Sequence, residues 1–206
     1  MRRFVLASLV VIAATTVAIR TVAASPSASP AYHSKDRLAG TVVWPAGMRP
    51  VSTFALRDQS GRLVTTRSLR GHVWAITFLD SNCTKACPIA ARDLATVQRT
   101  IGAHHPLSVI IVSVLPNYDT PARVRAFAHE AGLGGDWHWL LGTRKQLVPV
   151  WRAYGIFVVS GLEHTAALYL VDKNGDVRVA DAIPFVPAQL AASARVLDTL
   201  PYRPRT

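Results

Sequence analysis

The stretch His72–Ile101, HVWAITFLDSNCTKACPIAARDLATVQRTI, changes character twice. His72 to Leu79 is a continuous apolar run of buried-strand length. A polar loop then carries Cys83 and Cys87, the only two cysteines of the chain, with Pro88 directly behind them. From Pro88 the apolar residues Ile89, Leu94, Val97 and Ile101 recur at helical spacing, and a proline suits a first turn because its missing N–H would be unpaired there. The stretch therefore predicts strand, loop and helix, with the helix starting near Pro88. The residue before a proline avoids the α region, which places Cys87 at the helix mouth and Cys83 in the loop ahead of it.

The same alternation continues outward. Leu107 to Leu115 is nearly all Val, Ile and Leu, as in a strand buried on both faces. Asp119-Thr120-Pro121 supplies a cap and a first-turn proline for a helix through about Ala131, ended by Gly132. Further on come a helix from about Lys145 to Tyr154, a short run Ile156–Val159, and a strand Ala166–Val171. The turn Asp172-Lys173-Asn174-Gly175 leads to a strand Val177–Ala180, and a last helix spans Pro187–Leu200. Upstream, Thr53–Leu56 and Arg62–Thr66 flank the turn Asp58-Gln59-Ser60-Gly61 as an N-terminal β-hairpin extension. This order indicates an α/β sandwich, a central mixed β-sheet flanked by helices, with the cysteines at the carboxyl edge where open sheets place their sites.

The chain has 206 residues and begins Met1-Arg2-Arg3, followed by an uncharged run from Phe4 to Ile19, Arg20 and the small residues Val22-Ala23-Ala24-Ser25. That is a basic, then apolar, then cleavable pattern, so residues 1–24 are expected to act as a signal peptide, or as an uncleaved membrane anchor, of an exported protein. The run covers about 24 Å as helix, short of a ~30 Å bilayer core, which leaves both fates open. Residues 25–50, rich in Ser, Ala, Pro and Gly, are expected to be a flexible linker, 51–200 the folded domain and 201–206 a tail. The formal charge of +11 comes from scattered arginines without a basic run or aromatic-interleaved stripe. That argues against a nucleic-acid binder and leaves the membrane surface, reached through the N-terminal segment, as the expected large partner.

A helix mouth favours thiolate over thiol, and Lys85 adds positive charge, so Cys83 and Cys87 are expected to serve metal or disulfide chemistry. A purely structural staple is the alternative in an exported protein, although a loop this short stabilises by only about 2 kcal/mol. Two soft thiolates suit copper or zinc, and either metal wants a third ligand. Of the seven histidines, His33 lies in the linker, His104 and His105 in a polar turn, His129 on a charged helix and His72 at a strand start. His138, between Trp137 and Trp139, reads as a half-buried ring. His164 ends a loop just before a buried-type strand, at a sheet edge that could face the cysteines.

In combination, Phe54-Ala55-Leu56-Arg57-Asp58-Gln59-Ser60-Gly61, Leu69-Arg70-Gly71, Cys83-x-x-x-Cys87-Pro88, Asp119-Thr120-Pro121 and Leu140-Leu141-Gly142-Thr143 precede His164 and Tyr169-Leu170-Val171-Asp172 with its Gly175 turn. This ordered set resembles the Sco/SenC family of thioredoxin-fold copper proteins, which assist assembly of the copper A centre of cytochrome c oxidase. The resemblance implies a thioredoxin-like fold and one copper ion, Cu(I) or Cu(II), on Cys83, Cys87 and His164. It also implies, as partner, the oxidase's copper A subunit or another copper chaperone, and a place on the periplasmic or extracytoplasmic side of the membrane.

The chain departs from that pattern twice. Leu79-Asp80-Ser81-Asn82 stands where an aromatic or threonine pair is usual, a change expected to alter the pocket wall without touching a ligand. Val114-Leu115-Pro116 replaces Val-Asp-Pro and removes a carboxylate expected beside the site. Two other functions use the same residues. Cys83 and Cys87 suffice as the redox pair of a thiol–disulfide reductase that keeps the oxidase cysteines reduced. Thr84-Lys85-Ala86-Cys87-Pro88 also resembles the peroxiredoxin motif, but Asp80 stands where that family has a proline, and its charge opposes a peroxidatic thiolate. The metal-carrying role requires no turnover.

Overall fold

The computed structural model describes residues 37–159 and 163–204. The segment read as signal or anchor lies outside them. In chain order the elements are β1 (Val42–Val43), β2 (Ala55–Arg57), β3 (Leu63–Thr65), β4 (Val73–Leu79), α1 (Ala86–Ile101), β5 (Leu107–Ser113) and α2 (Pro121–Glu130). There follow β6 (Trp137–Leu140), α3 (Arg144–Ala153), β7 (Val158–Val159), β8 (Glu163–His164), β9 (Ala167–Val171), β10 (Val177–Ala182) and α4 (Pro187–Thr199).

Six strands form one mixed sheet in the order β1-β10-β9-β4-β5-β6. β4, β5 and β6 run parallel, whereas β9 pairs antiparallel with β4, and β10 and β1 continue antiparallel beyond it. Every residue of β4 and β5 is buried. Successive side chains of a strand point to opposite faces, and both strands feed two separate cores accordingly. Val73, Ala75 and Leu79, with Val109 and Ile111, meet Leu94 and Val97 of α1, Val124 of α2 and Leu190 and Leu197 of α4. Trp74, Ile76 and Phe78, with Ile110 and Val112, meet Leu147, Val150 and Trp151 of α3 and Leu56 and Val64 of the β2–β3 hairpin. Burying one Leu or Ile fully contributes about 1.5–3 kcal/mol, so these alternating runs commit the strands to a doubly covered sheet.

Local signals set the element ends. Thr120 caps α2 by accepting the Arg123 N–H at 3.4 Å, with Pro121 in the first turn. At the predicted tight turn, Gly175 has φ +80° and its N–H bonds the Asp172 carbonyl at 3.0 Å; a side chain there would be strained. The structure adds three strands that the sequence reading lacks; one is β8, in which His164, expected to end a loop, pairs opposite Val158 of β7. Val42 and Val43, assigned above to the linker, pair with Ala180 and Val179 at the sheet edge. Trp137–Leu140 forms β6, with His138 opposite Ile110. The first long helix also begins earlier than expected, at Ala86, so Cys87 sits inside its first turn and is helical despite the following proline.

Two elements converge on the carboxyl end of β4. α1 starts a few residues beyond Leu79. Because β9 is antiparallel to β4 with Thr77 opposite Leu168, residues upstream of β9 lie beside residues downstream of β4. Thr77 Oγ1 fixes that register by donating to the Ala167 carbonyl at 3.0 Å. His164, three residues ahead of β9, is thereby carried to the cysteine loop.

Candidate metal centre

The loop between β4 and α1 is held from below. Asp119 is buried and accepts from the Ser81 N–H (2.9 Å), the Ser81 hydroxyl (2.6 Å) and the Ser113 hydroxyl (2.5 Å). Burial pushes its carboxyl above the ordinary range, against the pull of these hydrogen bonds. Within the expected Asp119-Thr120-Pro121 signal Thr120 supplies the cap, and Asp119 ties the cysteine loop to the end of β5.

Above this anchor the two thiols differ. Cys87 is buried, 1% exposed, in the first turn of α1, while Cys83 is partly exposed in the loop. The Cys87 N–H points to Cys83 Sγ at 3.4 Å. One of the helix's unpaired first-turn amides thus finds a sulfur acceptor, because Lys85 at the N-cap makes no side-chain cap. Burial pushes the Cys87 thiol well above its usual range, with Cys83 and Asp80 adding to the rise and the Asp80 backbone N–H opposing it. At Cys87 desolvation outweighs the helix dipole, so the helix mouth does not by itself favour thiolate there, and a bound cation would favour deprotonation.

His164 forms a one-sided hydrogen bond, Nδ1 to the Thr165 carbonyl at 3.0 Å. A carbonyl only accepts, so Nδ1 carries the hydrogen, and in the neutral ring the lone pair is the one on Nε2. Nε2 lies 3.9 Å from Cys87 Sγ. Metal-binding imidazoles are oriented in this way, with the distal N–H held by a carbonyl. The third group facing them is Asp80, 2% exposed, whose Oδ2 lies 3.9 Å from both Cys87 Sγ and His164 Nε2. Donor atoms of Asp80, Cys83 and Cys87 all fall within 4.8 Å of one another. They open onto a cavity of about 600 Å³ that is also lined by Thr84, Lys85 and Ile183. On its other side Cys83 faces a second cavity of about 340 Å³ beside Tyr118 and Phe127.

The sequence reading placed Cys83, Cys87 and His164 at one sheet edge, and the fold brings Cys87 and His164 to 3.9 Å. Asp80 was taken as pocket wall; it belongs to the cluster itself. A carboxylate was expected to be missing beside the site because of Leu115, and Asp80 supplies one from the other side. The signal that could have found it is position, since a carboxylate one residue past a fully buried strand has no solvent to face. The remaining described histidines lie elsewhere. His105 pairs with Asp198 at 2.7 Å. His138 is buried rather than half-buried, between Asp58 and Asp136 at 2.9 Å each.

A mixed sheet with a Cys-x-x-x-Cys helix start and a facing histidine defines a thioredoxin-like domain with a sulfur and imidazole donor cluster. The SCO1/SenC family model matches residues 46–195, and the chain belongs to this family. It is 26% identical over 136 residues to the SCO1 protein homolog of Bacillus subtilis, covering 62% of this chain and 70% of that one. The structure of Bradyrhizobium japonicum ScoI with copper bound is similar with TM-score 0.63 and 25% identity, over 72% of this chain and 99% of that one. BsSco, described as a member of the Sco family of cytochrome c oxidase assembly proteins with a disulfide switch, is similar in fold with TM-score 0.67 and 23% identity, over 77% and 99% of the two chains.

Proposed function

We propose that this domain carries one copper ion on Cys83 Sγ, Cys87 Sγ and His164 Nε2 and hands it to the copper A subunit of a cytochrome c oxidase, or to another copper chaperone, on the extracytoplasmic side of the membrane. Residues 1–24 serve as its signal or anchor, and a tether runs from there to the Val42–Val43 strand. Family membership supports the role, and the copper-bound relative supports the cargo. The observation that carries the reading is that His164, its Nδ1 held by the Thr165 carbonyl, turns Nε2 toward the Cys87 sulfur at 3.9 Å beside a cavity at the sheet edge. Two sulfurs and an imidazole fit copper, which accepts soft thiolates in either oxidation state, better than a hard cation. Binding displaces the Cys87 proton, and the ion's charge replaces it in the buried pocket. The test is copper uptake by the reduced protein: about one equivalent for the wild type, lost in Cys83→Ser and Cys87→Ser because a hydroxyl cannot replace a soft thiolate. Undiminished uptake by the double serine variant refutes the reading.

The unequal exposure of the cysteines favours dithiol exchange as a second activity of the same site. The more accessible Cys83 attacks a partner disulfide as thiolate and forms a mixed disulfide. Cys87 then attacks the Cys83 sulfur, releasing the partner as a dithiol and leaving a Cys83–Cys87 disulfide, so two electrons pass to the partner. This activity survives His164→Ala, whereas Cu(II) is bound much more weakly, Cu(I) being less affected because two thiolates can hold it.

A further inference from the structure

Asp80 follows the last residue of β4, and its two oxygens do different things. Oδ1 accepts the Asn82 N–H at 3.0 Å and shapes the turn into the cysteine loop. Oδ2 is aimed into the gap between Cys87 Sγ and His164 Nε2, 3.9 Å from each. Neither separation is a close hydrogen bond to a strong donor. On the imidazole side Nδ1 already donates to Thr165, and Nε2 faces the carboxylate oxygen at 3.9 Å, too far for a hydrogen bond. The other group on Oδ2 is the Cys87 thiol, also long at 3.9 Å, in a pocket where Asp80 is 2% exposed; a shared cation would satisfy all three atoms at once. The gap is about twice a first-row metal–donor bond.

We infer that Asp80 Oδ2 is a fourth donor of the copper site and that it biases the site toward Cu(II). The inference rests on the copper reading above and extends it. Softness and charge both point the same way. Two thiolates already satisfy Cu(I), to which a hard carboxylate adds little, whereas Cu(II) favours nitrogen and oxygen donors in its coordination plane. Two thiolates and a carboxylate carry three negative charges, so Cu(II) leaves one uncompensated and Cu(I) leaves two. With little water to screen the excess, the higher-valent ion is the better held. An aromatic or threonine at this position would provide neither effect.

The test measures Cu(II) and Cu(I) affinities separately, by competition of each ion with chelators, for the full-length wild type and for Asp80→Asn. Asparagine keeps the turn acceptor for Asn82 and removes the charge. Asp80→Ser serves as a second uncharged variant, and melting of the metal-free proteins reports folding. The expected result is a fall of about a hundredfold in Cu(II) affinity with little change in Cu(I) affinity. By thermodynamic linkage the midpoint potential of the bound ion rises by about 120 mV, at 59 mV per tenfold. The sulfur-to-copper charge-transfer absorption of the Cu(II) protein should also shift. An unchanged ratio of the two affinities in both folded variants, or an equal loss of both ions, overturns the inference and leaves copper carriage intact. Failure of the wild type to take up either ion overturns the copper reading and this inference with it.

Discussion

Replacing Asp58 by Asn tests how the hairpin is fastened to the sheet. Asp58 Oδ1 accepts from the Ser60 N–H (2.8 Å), the Ser60 hydroxyl (2.6 Å) and the Arg62 N–H (3.0 Å), and Oδ2 faces His138 Nδ1 on β6 at 2.9 Å. Burial alone would raise the carboxyl, but the bonds from Ser60, His138 and Arg62 outweigh it and lower its pKa from 3.8 to about 2. A carboxyl whose folded pKa lies below its unfolded value ionises more readily in the fold. Its contribution is present above the unfolded value and is lost as pH falls toward the folded one. At 1.36 kcal/mol per pH unit the gap corresponds to about 2 kcal/mol, of which about 1 kcal/mol disappears between pH 5 and pH 3. Asparagine has the same shape and no proton to take up, so Asp58→Asn lacks that loss. Asp119, raised by burial, changes in the opposite sense but equally in both proteins, and drops out of the difference. Urea unfolding of both proteins at the two pH values measures it, with equal m-values as the check on a common unfolded state. Equal losses of stability in wild type and variant would show that the Ser60, Arg62 and His138 bonds do not outweigh burial.

Leu94→Ala opens a hole between α1 and the sheet at a side chain with no exposure, and is expected to cost 2–5 kcal/mol in chemical unfolding while leaving copper stoichiometry unchanged. His164→Ala should abolish the charge-transfer absorption of the Cu(II) protein yet still allow Cys83 and Cys87 to oxidise to a disulfide. His138→Ala and the exposed His129→Ala should keep the absorption, and the opposite pattern would assign the imidazole ligand to another histidine. Copper at a hundred times its dissociation constant should stabilise the fold by about 2.7 kcal/mol, seen as a rise in melting temperature that Cys87→Ser lacks.

What could be read from the sequence follows what was physically local. The β4 and β5 runs carry their own signal because burial on both faces demands unbroken Val, Ile, Leu and aromatic residues, and the Asp172–Gly175 turn announces itself through a glycine at positive φ. β6 was missed because its centre is His138, a polar residue made tolerable by the neighbouring Asp136 and by Asp58, which arrives only when the hairpin folds over. β1 is two valines whose only reason to be a strand is the free edge of β10. At the site, the cysteines are marked by spacing and His164 by the strand it precedes. Asp80 is marked as buried by its place just past β4, but that it faces His164 follows only from β9 returning antiparallel. The start of α1 at Ala86 shows a weak local rule overridden: a residue before proline usually avoids helix, but Cys87 has the cores of α1 and β4 to join.

The unequal depth of the two sulfurs sets an order of events. Cys83 borders two cavities, whereas Cys87 lies under the first turn of α1 with almost no surface. On the proposed copper-carrying role, a thiol arriving from another protein would meet the ion from the Cys83 side, and the first bond exchanged would be the one to Cys83. Cys87 and His164 would hold on until a second incoming ligand had formed. The hand-over would then pass through an ion bridging two proteins rather than one released to water, with the buried sulfur the last to let go.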